Sequence, residues 1–171
     1  MTKKPLILEF SEYDVNQVVA DIEEIRRYNR QRHEMEQLTA ICYEDRERNI
    51  CVGYKDVGMD EFWVRGHFPG MPVMPGVIMC ESAAQLASYY THRYELMQGL
   101  GGFGGLEEVR FRDVVRPGSR FVVVVGLLKI RRALMVCEFQ CFVKQNLVCQ
   151  GIIKGIPLPT EMLNAPQPQP Q

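Results

Sequence analysis

The chain has 171 residues, 46% hydrophobic and 24% charged, with a net charge of −1. These values suit one soluble domain around one core, and they provide no global field for binding nucleic acid. No apolar run approaches the ~20 residues that span a bilayer, and Glu9 and Glu12 stand where a secretory signal would have its apolar centre, so a cytoplasmic protein without membrane contact is expected.

In chain order, residues 14–38 have a helical period, with Val15, Val18, Val19, Ile22 and Ile25 on one face and Arg26, Arg27, Arg30 and Arg32 crowding the later part. Residues 39–44 and 49–57 then alternate as strands around the charged turn Asp45-Arg46-Glu47-Arg48. Residues 59–65 lead into a loop holding Pro69, Pro72 and Pro75 with Gly66, Gly70 and Gly76. Pro75 suits a first helical turn, and residues 77–90 are apolar or small on nearly every side, which predicts a helix enclosed all round. The glycines of 99–105 read as a flexible or closely approached loop. Residues 119–131, 133–144 and 147–156 read as three strands whose short turns make antiparallel hairpins. Residues 157–171 are rich in proline and glutamine without an apolar period, so a single domain over 1–156 is expected, followed by a disordered tail.

Cys42, Cys51, Cys80, Cys137, Cys141 and Cys149 form no C-x-x-C pair and no metal-ligand spacing with histidine. They read as reduced core thiols, and no metal site is expected. The polar residues of the loop and central helix are more informative. His67 is the only one of the three histidines beside the Pro/Gly-rich loop, and Glu81 and Gln85 share a face of an otherwise apolar helix. Taken singly, each has an ordinary explanation: a loop histidine as a structural hydrogen-bonder, a helix glutamate paired with a distant arginine. Together they assemble a base that can take a proton near neutral pH, a carboxyl that burial would keep protonated, and a polar orienter. The N–H groups of Gly76 and Val77, among the free donors of a helix N-terminus, add a place for a developing oxyanion. This set suits proton abstraction next to a carbonyl with loss of a protonated leaving group.

The run GHFPGMPVMPGVIMCESAAQ, residues 66–85, resembles the active-site signature of the bacterial 3-hydroxyacyl-[acyl carrier protein] dehydratases, and residues 103–112 followed by Pro117-Gly118 resemble the segment after their central helix. The resemblance covers residues 50–156. It implies an α+β hot dog fold, an antiparallel β-sheet wrapped around a long central helix, and no metal or organic cofactor. It also implies that His67 and Glu81 are the catalytic pair, that Gln85 holds a water or the Glu, and that Gly76 and Val77 bind the thioester carbonyl. Glu rather than Asp at position 81 favours dehydration without isomerisation. The partners implied are an acyl carrier protein and a second copy of the chain, in a homodimer or trimer of dimers whose sites are shared between chains.

Two departures mark a divergent subfamily. Gly101 and Gly102 precede Phe103 where the family commonly has a gating aromatic, so a wider entrance is expected, open to long or bulky acyl chains. The segment around residues 32–38 also lacks the family's histidine-, proline- and leucine-rich run. Three basic clusters, Arg26/Arg27/Arg30/Arg32, Arg110/Arg112/Arg116 and Lys129/Arg131/Arg132, are candidates for docking an acidic carrier, and each reads equally well as a solvated face. Two other functions remain open: a hot dog thioesterase, which would activate water with a carboxylate and not need His67, and a non-catalytic acyl-binding relative, which would have lost the acid–base pair.

Overall fold

The computed structural model describes residues 5–159. Six strands, β1 (Ala40–Asp45), β2 (Ile50–Asp56), β3 (Leu100–Phe111), β4 (Arg120–Arg131), β5 (Leu134–Val143) and β6 (Asn146–Leu158), form one sheet in the order β1-β2-β4-β5-β6-β3. Every neighbouring pair is antiparallel. The long helix α2 (Gly76–Arg93) lies against the inner face, where Leu86, Ala83 and Tyr89 pack with Ile41, Cys51, Phe121, Val123, Val125, Phe139 and Ile153. This is the sheet wrapped around a helix that the sequence implied.

The valine run of β4 is buried on both faces because the outer face is covered as well. Leu6, Ile7, Leu8, Phe10, Tyr13 and Val15 lie over Val122, Val124 and Phe142, and Gln140 fixes this covering strap by accepting from Ile7 N–H (2.9 Å) and donating to Pro5 O (2.9 Å). A strand enclosed in this way reads as a continuous apolar run rather than an alternating one. All six cysteines are free and buried.

Five expectations need correction. Residues 14–38 do not form one helix: only α1 (Ile22–Tyr28) is α-helical, with a short 3-10 turn at His33–Met35. Asp21 starts α1 by accepting from Glu24 N–H, and just before it Val19 N–H donates to Ile41 O while Ala20 bridges to Ile41, which draws this segment onto the edge of β1. The 99–105 loop is instead the start of β3, because pairing with β6 supplies the ladder that the glycines alone would not favour. Finally, Pro75 is the residue before α2 rather than in its first turn, and α2 is not enclosed all round: Val77 is 71% exposed. β6 continues to Leu158, two residues past the expected domain end, and the expected disordered stretch from 160 to 171 lies outside the described residues.

Candidate active site

The loop that carries His67 is held in one shape from several sides. Trp63, buried at 4% exposure, anchors its start, and Trp63 O accepts from the N–H groups of Gly66 and His67. Pro69 and Gly70 occupy the middle of a turn closed by Met71 N–H donating to Phe68 O (2.9 Å), and Gly70 takes φ +75°, the left-handed value such a turn requires at that position. Val73 N–H returns to His67 O (2.8 Å), and buried Met74 donates to Val115 O (2.8 Å), so the loop is tied to the segment after β3.

This frame sets the state of the histidine. His67 is half-buried, stacked on Phe68, with Nδ1 2.7 Å from Val73 O. A carbonyl oxygen can only accept, so Nδ1 carries a proton, and the tautomer this contact selects for the neutral ring has its lone pair on Nε2. That is the tautomer a general base needs.

Glu81 lies on α2 and is half-buried, less enclosed than the sequence implied. Its Oε1 accepts from Gln85 Nε2 at 2.7 Å and from Gln31 Nε2 at 3.5 Å. Gln85 is buried and fully engaged: Nε2 also donates to Met35 O (2.7 Å), and Oε1 accepts from Gln37 N–H (2.9 Å). Because one end faces a carbonyl and a carboxylate and the other an N–H, the carboxamide has only one satisfactory orientation. Of the two roles expected for Gln85, the contacts favour holding the Glu. Gln31 was missed from sequence, since a glutamine between two helical turns carries no signal of its own.

Gly76 and Val77 open α2, and their N–H groups find no acceptor among the described residues. Gly76 lacks a side chain for a steric reason: a Cβ there would stand 2.7 Å from the Phe111 ring, which leans over the helix start from the end of β3. A cavity of about 210 Å³ begins at Gln31 and Glu81 and runs past Ala84 and Ser88 along α2. The bare backbone of Gly101, Gly102 and Gly155 lines it, with Met97 and Met135 among the side chains around it. His67 does not line this cavity, and among the described residues it shares no hydrogen bond with Glu81. The structure therefore brings Glu81 and Gln85 together and leaves His67 apart. No group of His, Cys, Asp and Glu among the described residues could hold a metal ion, and no helix there is long and apolar enough to cross a membrane.

Comparisons with known proteins agree with this architecture. A family model described as a FabA-like domain matches residues 29–152. The chain is 38% identical over 103 residues to the 3-hydroxyacyl-[acyl-carrier-protein] dehydratase FabZ of Desulfotalea psychrophila, covering 58% of this chain and 69% of that one. It is 32% identical over 142 residues to the FabZ of Coxiella burnetii, covering 81% and 97%. Among solved structures, the dehydratase heterocomplex ApeI:P of Xenorhabdus doucetiae superposes with a TM-score of 0.69 at 18% identity, over 82% of this chain and 94% of that one. The E. coli PaaI protein of the phenylacetic acid degradation operon superposes at 0.54 and 14% identity, over 68% and 80%. These likenesses place the fold among the hot dog proteins, and on the strength of the 29–152 match the chain belongs to the FabA-like family.

Proposed function

We propose that this chain is a cytoplasmic 3-hydroxyacyl-[acyl-carrier-protein] dehydratase, forming a trans-2-enoyl thioester in fatty acid or related lipid synthesis. The observation that carries the reading is the tautomer imposed on His67 by Val73 O, which leaves Nε2 free to accept a proton. The thioester oxygen sits on the N–H groups of Gly76 and Val77, where the helix dipole and the free amides stabilise the enolate. His67 Nε2 removes a C2 proton, the electron pair forms the C2–C3 double bond, and the C3 hydroxyl leaves as water on the proton donated by Glu81. Solvent then returns a proton to Glu81 and takes one from His67.

The working unit in this reading is a homodimer in which His67 of one copy meets Glu81 of the other. The two sheet edges differ in a way that supports it. Residues 19–20 cover the edge of β1 through Ile41, whereas among the described residues β3 pairs on one side only and exposes Phe103, Leu106 and Phe111 at 43–53%. An uncovered, apolar edge strand is a template for pairing with another chain, and a two-fold pairing of β3 edges would continue the sheet.

The carrier protein docks at Arg110, Arg112 and Arg116. These three are exposed and without a carboxylate partner among the described residues, and Arg110 and Arg112 flank Phe111, whose ring leans over the start of α2. The Arg26 cluster is less available, since Glu36 and Glu23 take Arg26 and Glu24 takes Arg27.

Purified protein given 3-hydroxyacyl and plain acyl thioesters tests the reaction class. Enoyl absorbance without free thiol, abolished by at least ~100-fold in His67→Ala and Glu81→Gln, is the expected result. Release of thiol from plain acyl thioesters would identify a thioesterase instead, and neither signal would leave an acyl-binding protein.

A further inference from the structure

We propose that Gln31 is a positioning residue for the acid, an assignment that rests on the dehydratase reading. Its carboxamide, with that of Gln85, fixes Glu81 so that the proton is delivered from Oε2. Both glutamines aim Nε2 at the same carboxyl oxygen: Gln85 from one turn along α2 at 2.7 Å, Gln31 from the chain beyond α1 at 3.5 Å. An oxygen facing two N–H donors acts as an acceptor, so in the protonated acid the hydrogen sits on the other oxygen. Only Oε2 can then reach the leaving hydroxyl as a donor.

The segment that carries Gln31 is built to hold it there. Asn29, 4% exposed, donates through Nδ2 to Gln85 O (2.9 Å). Met35 O and Gln37 N–H close on the Gln85 carboxamide. Residues 29–37 are therefore tied at three points to the helical turn after Glu81. Arg32 stiffens the bend by donating to Asn29 O (2.8 Å), Gln31 O (2.6 Å) and Arg26 O (3.0 Å), and Arg26 grips Glu36 with two bonds of 2.7 and 2.9 Å. Gln31 is half-exposed and lines the same cavity as Glu81, while its backbone is fixed on both sides. Gln85 spends its second N–H on Met35 O, so its hold on Glu81 is a single bond about which the carboxyl can swing. A second donor from a different element removes that freedom.

The test uses the full-length protein with a 3-hydroxyacyl thioester. Gln31→Met keeps the stem and loses the donor, and Gln31→Glu keeps the shape but puts an acceptor against an acceptor. The expected result is a fall in kcat of about tenfold for Gln31→Met and more for Gln31→Glu, with KM within about twofold and thermal unfolding unchanged. A kcat within about twofold of the parent in both variants, or a loss that appears in KM instead, overturns the role of Gln31. Glu81→Gln is run beside them. If it keeps turnover, the dehydratase site itself is misassigned; if it is dead while Gln31→Met is fully active, only the Gln31 inference falls.

Discussion

Gly101 offers the sharpest handle on substrate length, and the expected size of the effect follows from the geometry. A Cβ at this position would stand 3.0 Å from Met97 Cε, 3.4 Å from His92 Cε1 and 3.5 Å from Ser88 Oγ, which puts it inside the cavity. Ser88 lies seven residues past Glu81 on α2, or about 10 Å along the helix axis. An extended chain covers roughly 1.1–1.2 Å per bond, so a substrate with C3 at Glu81 reaches Gly101 after about nine further bonds. Gly101→Val fits a strand and fills the space that the last two or three methylenes of such a chain would occupy. At ~0.8 kcal/mol per methylene this removes about 2 kcal/mol of binding, a fall of roughly 30-fold in kcat/KM for chains of about twelve carbons. Chains of about six carbons or fewer never reach the new side chain and should keep their parent rate. The assay is kcat/KM across a 3-hydroxyacyl thioester series. An unchanged length profile would refute the placement of the acyl chain along α2. The neighbouring glycine makes a poorer test, because a Cβ at Gly102 would meet Leu158 at 2.7–2.9 Å before filling the cavity.

Other perturbations probe separate parts of the account. Gln85→Leu strands Gln37 N–H and Met35 O without partners and frees Glu81; at ~1–3 kcal/mol for each stranded group, denaturant unfolding should show a loss of about 2–6 kcal/mol alongside a large fall in kcat. Reversing charge with Arg110→Glu and Arg112→Glu should raise KM at least ~10-fold for a carrier-bound substrate and leave a small thioester unaffected, with the difference shrinking as salt is added. The Asp45 carboxyl is held down at about 2 by the Arg48 backbone N–H and guanidinium in the β1–β2 turn. Its folded value lies below the unfolded ~3.9, so its stabilisation is complete above that value and is lost as pH falls toward 2. The gap in melting temperature between the parent and Asp45→Asn should accordingly be constant near neutral pH and close between about pH 4 and 2.

Much of this architecture was legible in the residues because the signals were local. The β4–β5 and β5–β6 hairpins followed from long apolar strands with short turns, and α2 from an apolar run behind a Pro/Gly loop. The features that escaped are those that tertiary contacts decide. The valines at 15, 18 and 19 share helical spacing, yet Val15 packs on the outer face of the sheet and Val19 bonds to the edge of β1. Asn29 ends α1 partly because its side chain is committed to Gln85 O. The glycines of β3 have no strand propensity, and only β6 makes them a strand. Within the site, the motif named His67, Glu81 and Gln85, but it could not reveal Gln31, whose position depends on the path of residues 29–37. Nor could it show that His67 lies outside the cavity that Glu81 lines.

That separation leads to the most direct test of the central claim, a composite site in which one copy supplies the base and another the acid. His67→Ala and Glu81→Gln are each purified inactive, mixed in equal amounts under conditions that exchange subunits, and assayed for enoyl thioester formation. Half of the reshuffled dimers are mixed, and each mixed dimer has one site with both His67 and Glu81 intact, so activity should recover to roughly a quarter of the parent value. Proven exchange with no recovery would contradict the account and place both groups within a single chain.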